Sequence, residues 1–65
     1  MTRSELERLI DEHILNDRDR YILKRKLADG WKYPEILESM NLDKSLSWIQ
    51  HRGAAAKRQL NKYLS

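Results

Sequence analysis

The apolar residues of this chain recur at helical spacing in four successive segments. In the first segment, Leu6, Ile10 and Ile14 lie on one stripe, a period that favours an amphipathic α-helix over a strand. Similar stripes follow after each of three polar breaks, and the pattern contains no internal repeat. The predicted helices cover residues 3–15, 17–28, 33–41 and 47–64.

The breaks between these segments carry residues that start or stop helices. A side-chain oxygen of Asn16 or Asp17 can cap the second helix, and Gly30 can supply the left-handed position that ends it. Pro34 is tolerated in the first turn of the third helix, where amides have no intrahelical acceptor. Asn41 enters the left-handed region cheaply, which predicts a tight turn after that helix.

The composition agrees with helices throughout. The chain has two glycines and one proline, and its abundant Leu, Ile, Lys, Arg, Glu and Ala favour helix. We therefore expect an all-α fold, a compact four-helix domain spanning residues 1–65.

Several functional classes have no residues to support them. The chain has no cysteine, which excludes disulfides and thiolate metal sites, and its two histidines are too far apart in sequence to suggest a metal site. No nucleophile–base pair or phosphate loop is visible. No apolar run approaches the length of a membrane span. We expect a cytoplasmic protein without catalytic residues, metal, cofactor or small-molecule substrate.

The fourth predicted helix has one narrow inward face. Ile49, Gly53, Ala56 and Leu60 fall at spacings of four, three and four. A glycine costs about 1 kcal/mol in a helix interior, so close approach of another helix is a reasonable explanation for Gly53. Leu60, with the neighbouring Tyr63 and Leu64, either dimerises or closes the core onto the first helix.

The turn before this helix offers an apolar residue and several caps. Leu42 is expected to be buried there, between the two helices. Ser47 followed three residues later by Gln50 has capping-box spacing, which predicts that the helix starts near Ser47. Asp43 or Ser45 could start an earlier turn.

Positive charge is concentrated toward the end of the chain. The net charge is +3, yet residues 1–30 carry seven basic and seven acidic side chains, whereas residues 45–65 carry four basic and no acidic ones. A positive end on a neutral body suits a polyanionic partner. A cationic helix that only complements its own dipole explains the same pattern equally well.

Two short helices joined by a tight turn with an apolar residue describe a helix-turn-helix. In that motif the second helix lies in the DNA major groove and its first turns reach base edges. Gln and Arg are shaped for bidentate contacts to adenine and guanine, and residues at the helix start suit phosphate. Trp48 has an alternative role, which is to cap the core from outside. The predicted base-reading residues are Trp48, Gln50, His51 and Arg52, and the predicted backbone contacts are Lys44, Ser45, Ser47, Lys57 and Arg58.

Two stretches, "NDRDRYILKRKLADG" and "KYPEILESMNL", followed by Ala56 and Leu60, resemble region 4 of the bacterial sigma-70 family and its small helix-turn-helix relatives. The resemblance covers about 45 of the 65 residues. Asn41 replaces the usual turn glycine, and the turn is about two residues longer than usual. The residues that hold the family's positions are Tyr33, Glu35, Ile36, Met40 and Leu42.

The resemblance implies a sequence-specific regulator of transcription that binds double-stranded DNA at the nucleoid. Nothing resembles the sigma region that melts the −10 element and holds core polymerase, so we expect a free-standing region 4 of the type carried by phages and mobile elements. A homodimer or a second regulator would complete the small DNA interface. The alternative is a helical adaptor that binds RNA polymerase or another regulator through an exposed aromatic patch of Trp31, Tyr33 and Trp48.

Overall fold

A computed structural model of the protein describes residues 2–63, and these residues form four helices and no strand. The predicted all-α, four-helix fold is therefore confirmed. None of the helices in this range is long and apolar enough to cross a membrane. Helix α1 spans Arg3–His13, α2 spans Asp17–Leu23 and continues as a π-helical turn over Lys24–Ala28, α3 spans Tyr33–Met40, and α4 spans Leu46–Asn61.

The polar residues at the breaks mostly act as predicted. The Asn16 side chain caps α2 by accepting hydrogen bonds from the amides of Arg18 and Asp19. Gly30 (φ 74°) and Asn41 (φ 53°) both have left-handed backbones, which end the second and third helices. These local predictions are confirmed because each depends only on neighbouring atoms of the chain.

The first helix ends earlier than predicted, at His13 rather than at residue 15. Ile14 leaves the helix with an extended backbone and is buried. The guanidinium of Arg20 donates to the carbonyl oxygens of Ile14 and Asp11, which satisfies acceptors at the end of α1 that have no intrahelical donor. Leu15, which was assigned to this helix, lies in the connection and is 80% exposed.

The fourth helix begins at Leu46, one residue before the predicted start, because Ser45 caps it. The Ser45 hydroxyl accepts the Trp48 amide at 3.1 Å, so the predicted capping box between Ser47 and Gln50 is wrong. The helix ends at Asn61 rather than at residue 64, and residue 64 lies outside the described residues.

The core consists of two apolar clusters, one under each half of α4. In the first cluster, Leu60 packs with Ile10 and Ile14. Of the two predicted roles for Leu60, dimerisation or closing the core onto the first helix, the structure shows the second. In the second, α2, α3 and the first half of α4 contribute one buried isoleucine each. Helix α3 therefore supports the first half of α4, and α1 supports the second half. The buried residues are Ile10, Ile14, Leu23, Ala56 and Leu60 in the first cluster and Ile22, Ile36 and Ile49 in the second.

Gly53 allows close approach, as its place on the inward face suggested. It is buried, and a Cβ atom there would lie 2.5 Å from a ring carbon of Tyr33. Leu42 differs from the prediction, since it is only half-buried. It lines an open depression with Tyr21 and Met40.

Candidate nucleic-acid interface

Helix α4 presents a continuous outward strip. Its buried residues define the side of the helix that faces the core. Because successive residues are rotated by about 100° around the helix axis, the residues on the opposite side can be identified from their positions in the sequence. The strip extends over about 16 Å of helix. Ala54 contributes only a methyl group, so a ligand can approach the helix backbone at the middle of the strip. The residues on this outward strip are Ser47, His51, Ala54 and Arg58, all of them exposed.

One flank of α4 is also free in the described structure. Gln50 and Lys57 lie about 80–100° from the inward direction by the same period, and both are exposed. Leu46 shares this flank and is 43% exposed. Gln50 is therefore exposed on the side of α4 next to His51.

The other flank of α4 faces α2, where Arg52 forms an ion pair. Its Nη2 atom donates to both carboxylate oxygens of Asp19, at 2.9 and 2.8 Å. Asp19 is only 7% exposed, whereas 40% of the Arg52 side chain remains accessible. Arg52 was predicted to read bases, but its guanidinium is directed toward α2, where it pairs with the nearly buried carboxylate of Asp19.

Trp48 lies on the same flank and is half-buried against the cluster of Ile22, Ile36 and Ile49. Two cations approach its ring: Arg18 Cζ is 5.4 Å and Lys44 Nζ is 5.7 Å from the ring centroid. Both distances lie within the range of a cation–π interaction. The packing agrees with the alternative prediction that Trp48 covers the core from outside.

The residues predicted to contact the DNA backbone lie on or beside the outward strip. Lys44 and Ser45 directly precede α4, and Ser47 lies in its first turn. The Ser45 hydroxyl accepts a hydrogen bond from the Trp48 amide, while Lys57 and Arg58 are exposed about one turn beyond Ala54. The structure thus places Ser47, His51 and Arg58 on the outward strip and Gln50 and Lys57 on one flank. Trp48 and Arg52 lie on the flank that faces α2, where both make structural contacts.

Four cations elsewhere on the protein, Arg3, Arg20, Lys24 and Arg25, are paired with carboxylates. Lys24 contacts Asp11 at 2.8 Å, and Arg3 and Arg25 both contact Asp29. The hydrogen bond that Arg25 donates to the Asp29 carboxylate raises the pKa of Arg25 above its ordinary value. Within residues 2–63, no ion pair is seen for five exposed cations on or beside α4, or for two exposed cations elsewhere, Arg8 and Lys32. The five are Arg18, Lys44, Lys57, Arg58 and Lys62.

The expected exposed aromatic patch is not formed. Trp31, Tyr33 and Trp48 are all half-buried and pack against the second core cluster. Their rings are used to cover isoleucine side chains, so they offer little free area to a partner. A different feature lies nearby, an open depression of about 370 Å³. Its lining residues are Asp17, Arg18, Tyr21, Ser39, Met40 and Leu42.

Sequence reasoning missed two residues of this region. Asp19 and Arg18 are not among the residues that the sequence predicted for the interface. Their partners, Arg52 and Trp48, are about thirty positions away in the sequence, and helical periodicity carries no information about such contacts. The available signal was an acidic residue between two basic ones, which is too common to identify a partner.

Comparison with known proteins adds no relative: no family model matches the chain, and no curated protein or solved structure matches it.

Proposed function

We propose that this protein is a transcriptional regulator that binds double-stranded DNA with α4 in the major groove. The observation that carries the proposal is the outward strip of α4, which is polar, exposed and bordered by cations without ion-pair partners in the described residues. Its length of about 16 Å and the single methyl group of Ala54 suit insertion of a helix into a groove about 12 Å wide.

In this proposal, α3 and α4 form a helix-turn-helix. The two helices share the second core cluster through Ile36 and Ile49, and the left-handed Asn41 begins the turn between them. In this arrangement α3 braces α4 and leaves its first turns free to reach base edges. The turn over residues 41–45 is slightly longer than the usual three or four residues.

Base reading falls to Gln50 and His51 in this proposal. Gln50 can make the bidentate contact to an adenine edge, and His51 can donate to a base or phosphate oxygen. Arg52 and Trp48 have structural partners, so their main task is to hold α4 in place. Backbone contacts come from Lys44, Ser45, Ser47, Lys57 and Arg58.

The resemblance to sigma-70 region 4 is consistent with this proposal and suggests the biological setting. We place the protein at the nucleoid, as a small regulator of the type found in phages and mobile elements. A single module of this kind makes a small interface. A second copy of the chain, another regulator or RNA polymerase is therefore proposed to complete the complex.

The direct test is the salt dependence of binding to a fluorescently labelled duplex of random sequence. Three or more phosphate contacts predict a slope of about −3 or steeper in a plot of log affinity against log salt concentration. Anisotropy measured between about 50 and 200 mM salt covers the range in which that slope is well determined. A protein that does not bind the duplex, or binds it with a slope near zero, would overturn the proposal.

The second candidate function is a helical adaptor for RNA polymerase or another regulator. The open depression beside Met40 and Leu42 supports it, since apolar side chains with a polar rim suit a partner's side chain. Such an interface responds little to salt. Leu42→Glu would abolish capture of polymerase if the adaptor function holds, whereas DNA binding through α4 would survive that change.

A further inference from the structure

Trp48 brings together cations from two different parts of the chain. Arg18 belongs to the first turns of α2, and Lys44 belongs to the turn before α4. Their charged groups lie 5.4 and 5.7 Å from the centroid of the same indole ring. Both residues are exposed, so the ring holds two positive charges at the protein surface.

The carboxylates nearest to Arg18 in sequence have other partners. Asp17 contacts Arg20 at 3.6 Å, and Asp19 is nearly buried beneath Arg52. Within residues 2–63, no carboxylate forms an ion pair with Arg18 or with Lys44. Two like charges held near one ring repel each other, and a bound anion would reduce that repulsion.

The charge of the pair also suits a phosphate group. A guanidinium held by an aromatic ring is oriented in advance, so less conformational entropy is lost when it binds. Phosphate contacts of this kind fix the position of a protein on the duplex without reading sequence. The pair lies on the flank of α4 that faces α2, beside the outward strip and opposite the flank of Gln50 and Lys57.

We propose that Arg18, Lys44 and Trp48 form a clamp for the phosphate backbone of one DNA strand bordering the groove that α4 enters. This inference rests on the proposed function and extends it, because it adds a contact from α2 that lies outside the two helices of the helix-turn-helix. Trp48 acts here as a positioning residue, which holds both cations, rather than as a reader of bases.

The test compares salt slopes for Arg18→Ala and Arg8→Ala with that of the unaltered protein. Arg8 is an exposed cation on the outward side of α1, so its removal changes the net charge equally without touching the clamp. Arg18→Ala is expected to make the slope shallower by about 0.9, the value of one lost phosphate contact. Arg18→Lys should retain most of the slope because the charge remains. Circular dichroism confirms that each variant is folded.

The outcomes separate the clamp from the function on which it rests. A shallower slope for Arg18→Ala, with an unchanged slope for Arg8→Ala, supports the clamp. Equal slopes for both variants and the unaltered protein overturn the clamp, while salt-dependent binding itself leaves the DNA-binding proposal in place. Equal losses for both variants also overturn it, since they show a general effect of net charge. If the unaltered protein does not bind duplex DNA, the proposed function fails and the clamp fails with it.

Discussion

Arg52 on α4 donates from one nitrogen to both carboxylate oxygens of Asp19 on α2, a residue 33 positions earlier in the chain. Because Asp19 is 7% exposed, its carboxylate has lost most of its hydration and depends on this partner. The pair joins two helices on one flank of α4. It therefore helps to fix the rotation of α4 about its own axis, which determines that His51 faces outward.

Removal of Arg52 should destabilise the fold. Arg52→Ala leaves the nearly buried Asp19 carboxylate without a cation. We expect a loss of about 2–4 kcal/mol in the free energy of unfolding. This loss is below the top of the range for fully buried pairs because Arg52 is partly exposed. Urea unfolding measures this loss. Arg58→Ala, a change of equal charge on the outward strip, should stay within about 0.5 kcal/mol of the unaltered protein. Equal stability of the two variants would show that the ion pair contributes nothing.

Substitutions of Gln50 and His51 should change DNA recognition and leave the stability of the fold unchanged. Both are exposed, so alanine at either position should leave the unfolding free energy within about 0.5 kcal/mol. After selection of a preferred site from random duplexes, Gln50→Ala should reduce discrimination at one base pair by about 1–3 kcal/mol. Competition binding with single-base variants of that site measures the effect. Unchanged discrimination for both variants would remove base reading from this side of α4.

Gly53→Ala tests the contact between α3 and α4. Alanine is the better helix former by about 1 kcal/mol, but its Cβ would lie within 3 Å of the Tyr33 ring, and overpacking typically costs about 1–3 kcal/mol. We expect a net loss of about 1 kcal/mol. In a Tyr33→Leu background the same change should instead stabilise the protein, because the obstructing ring is absent. A stabilising Gly53→Ala in the unaltered chain would mean that Tyr33 moves aside at no cost.

Asn41 should tolerate glycine better than alanine. Its backbone is left-handed, a conformation that costs alanine about 1 kcal/mol or more and glycine nothing. Thermal unfolding of Asn41→Ala and Asn41→Gly measures the difference, with the glycine variant expected to melt at the higher temperature. The reverse order would indicate that the Asn41 side chain, rather than its backbone freedom, stabilises the turn.

The sequence predicted those features that depend on local physics. The inward face of α4 at Ile49, Gly53, Ala56 and Leu60 follows from periodicity, and all four residues are buried. The cap at Asn16 and the turn at Asn41 follow from the conformational preferences of asparagine. Each of these needs only a few neighbouring residues to be specified.

The features that the sequence did not predict depend on tertiary contacts. The early end of α1 requires the guanidinium of Arg20, and the orientation of Arg52 requires a buried Asp19 on another helix. Trp48 looked equally suited to DNA and to the core, since an amphipathic ring serves both, and only the position of the second cluster shows that it packs inward. The candidate base readers were therefore predicted as a group, and only the structure shows the internal contacts of Arg52 and Trp48.

The most direct test of the DNA-binding proposal is an NMR titration of the ¹⁵N-labelled protein with a random-sequence duplex at two salt concentrations. The largest amide shifts are expected on residues 44–58, centred on the outward strip, with a separate set at the start of α2 near Arg18. Binding should weaken steeply at the higher salt concentration. Shifts confined to the depression beside Leu42, shifts on α1, or binding that does not respond to salt would contradict the assignment of α4 to the DNA groove.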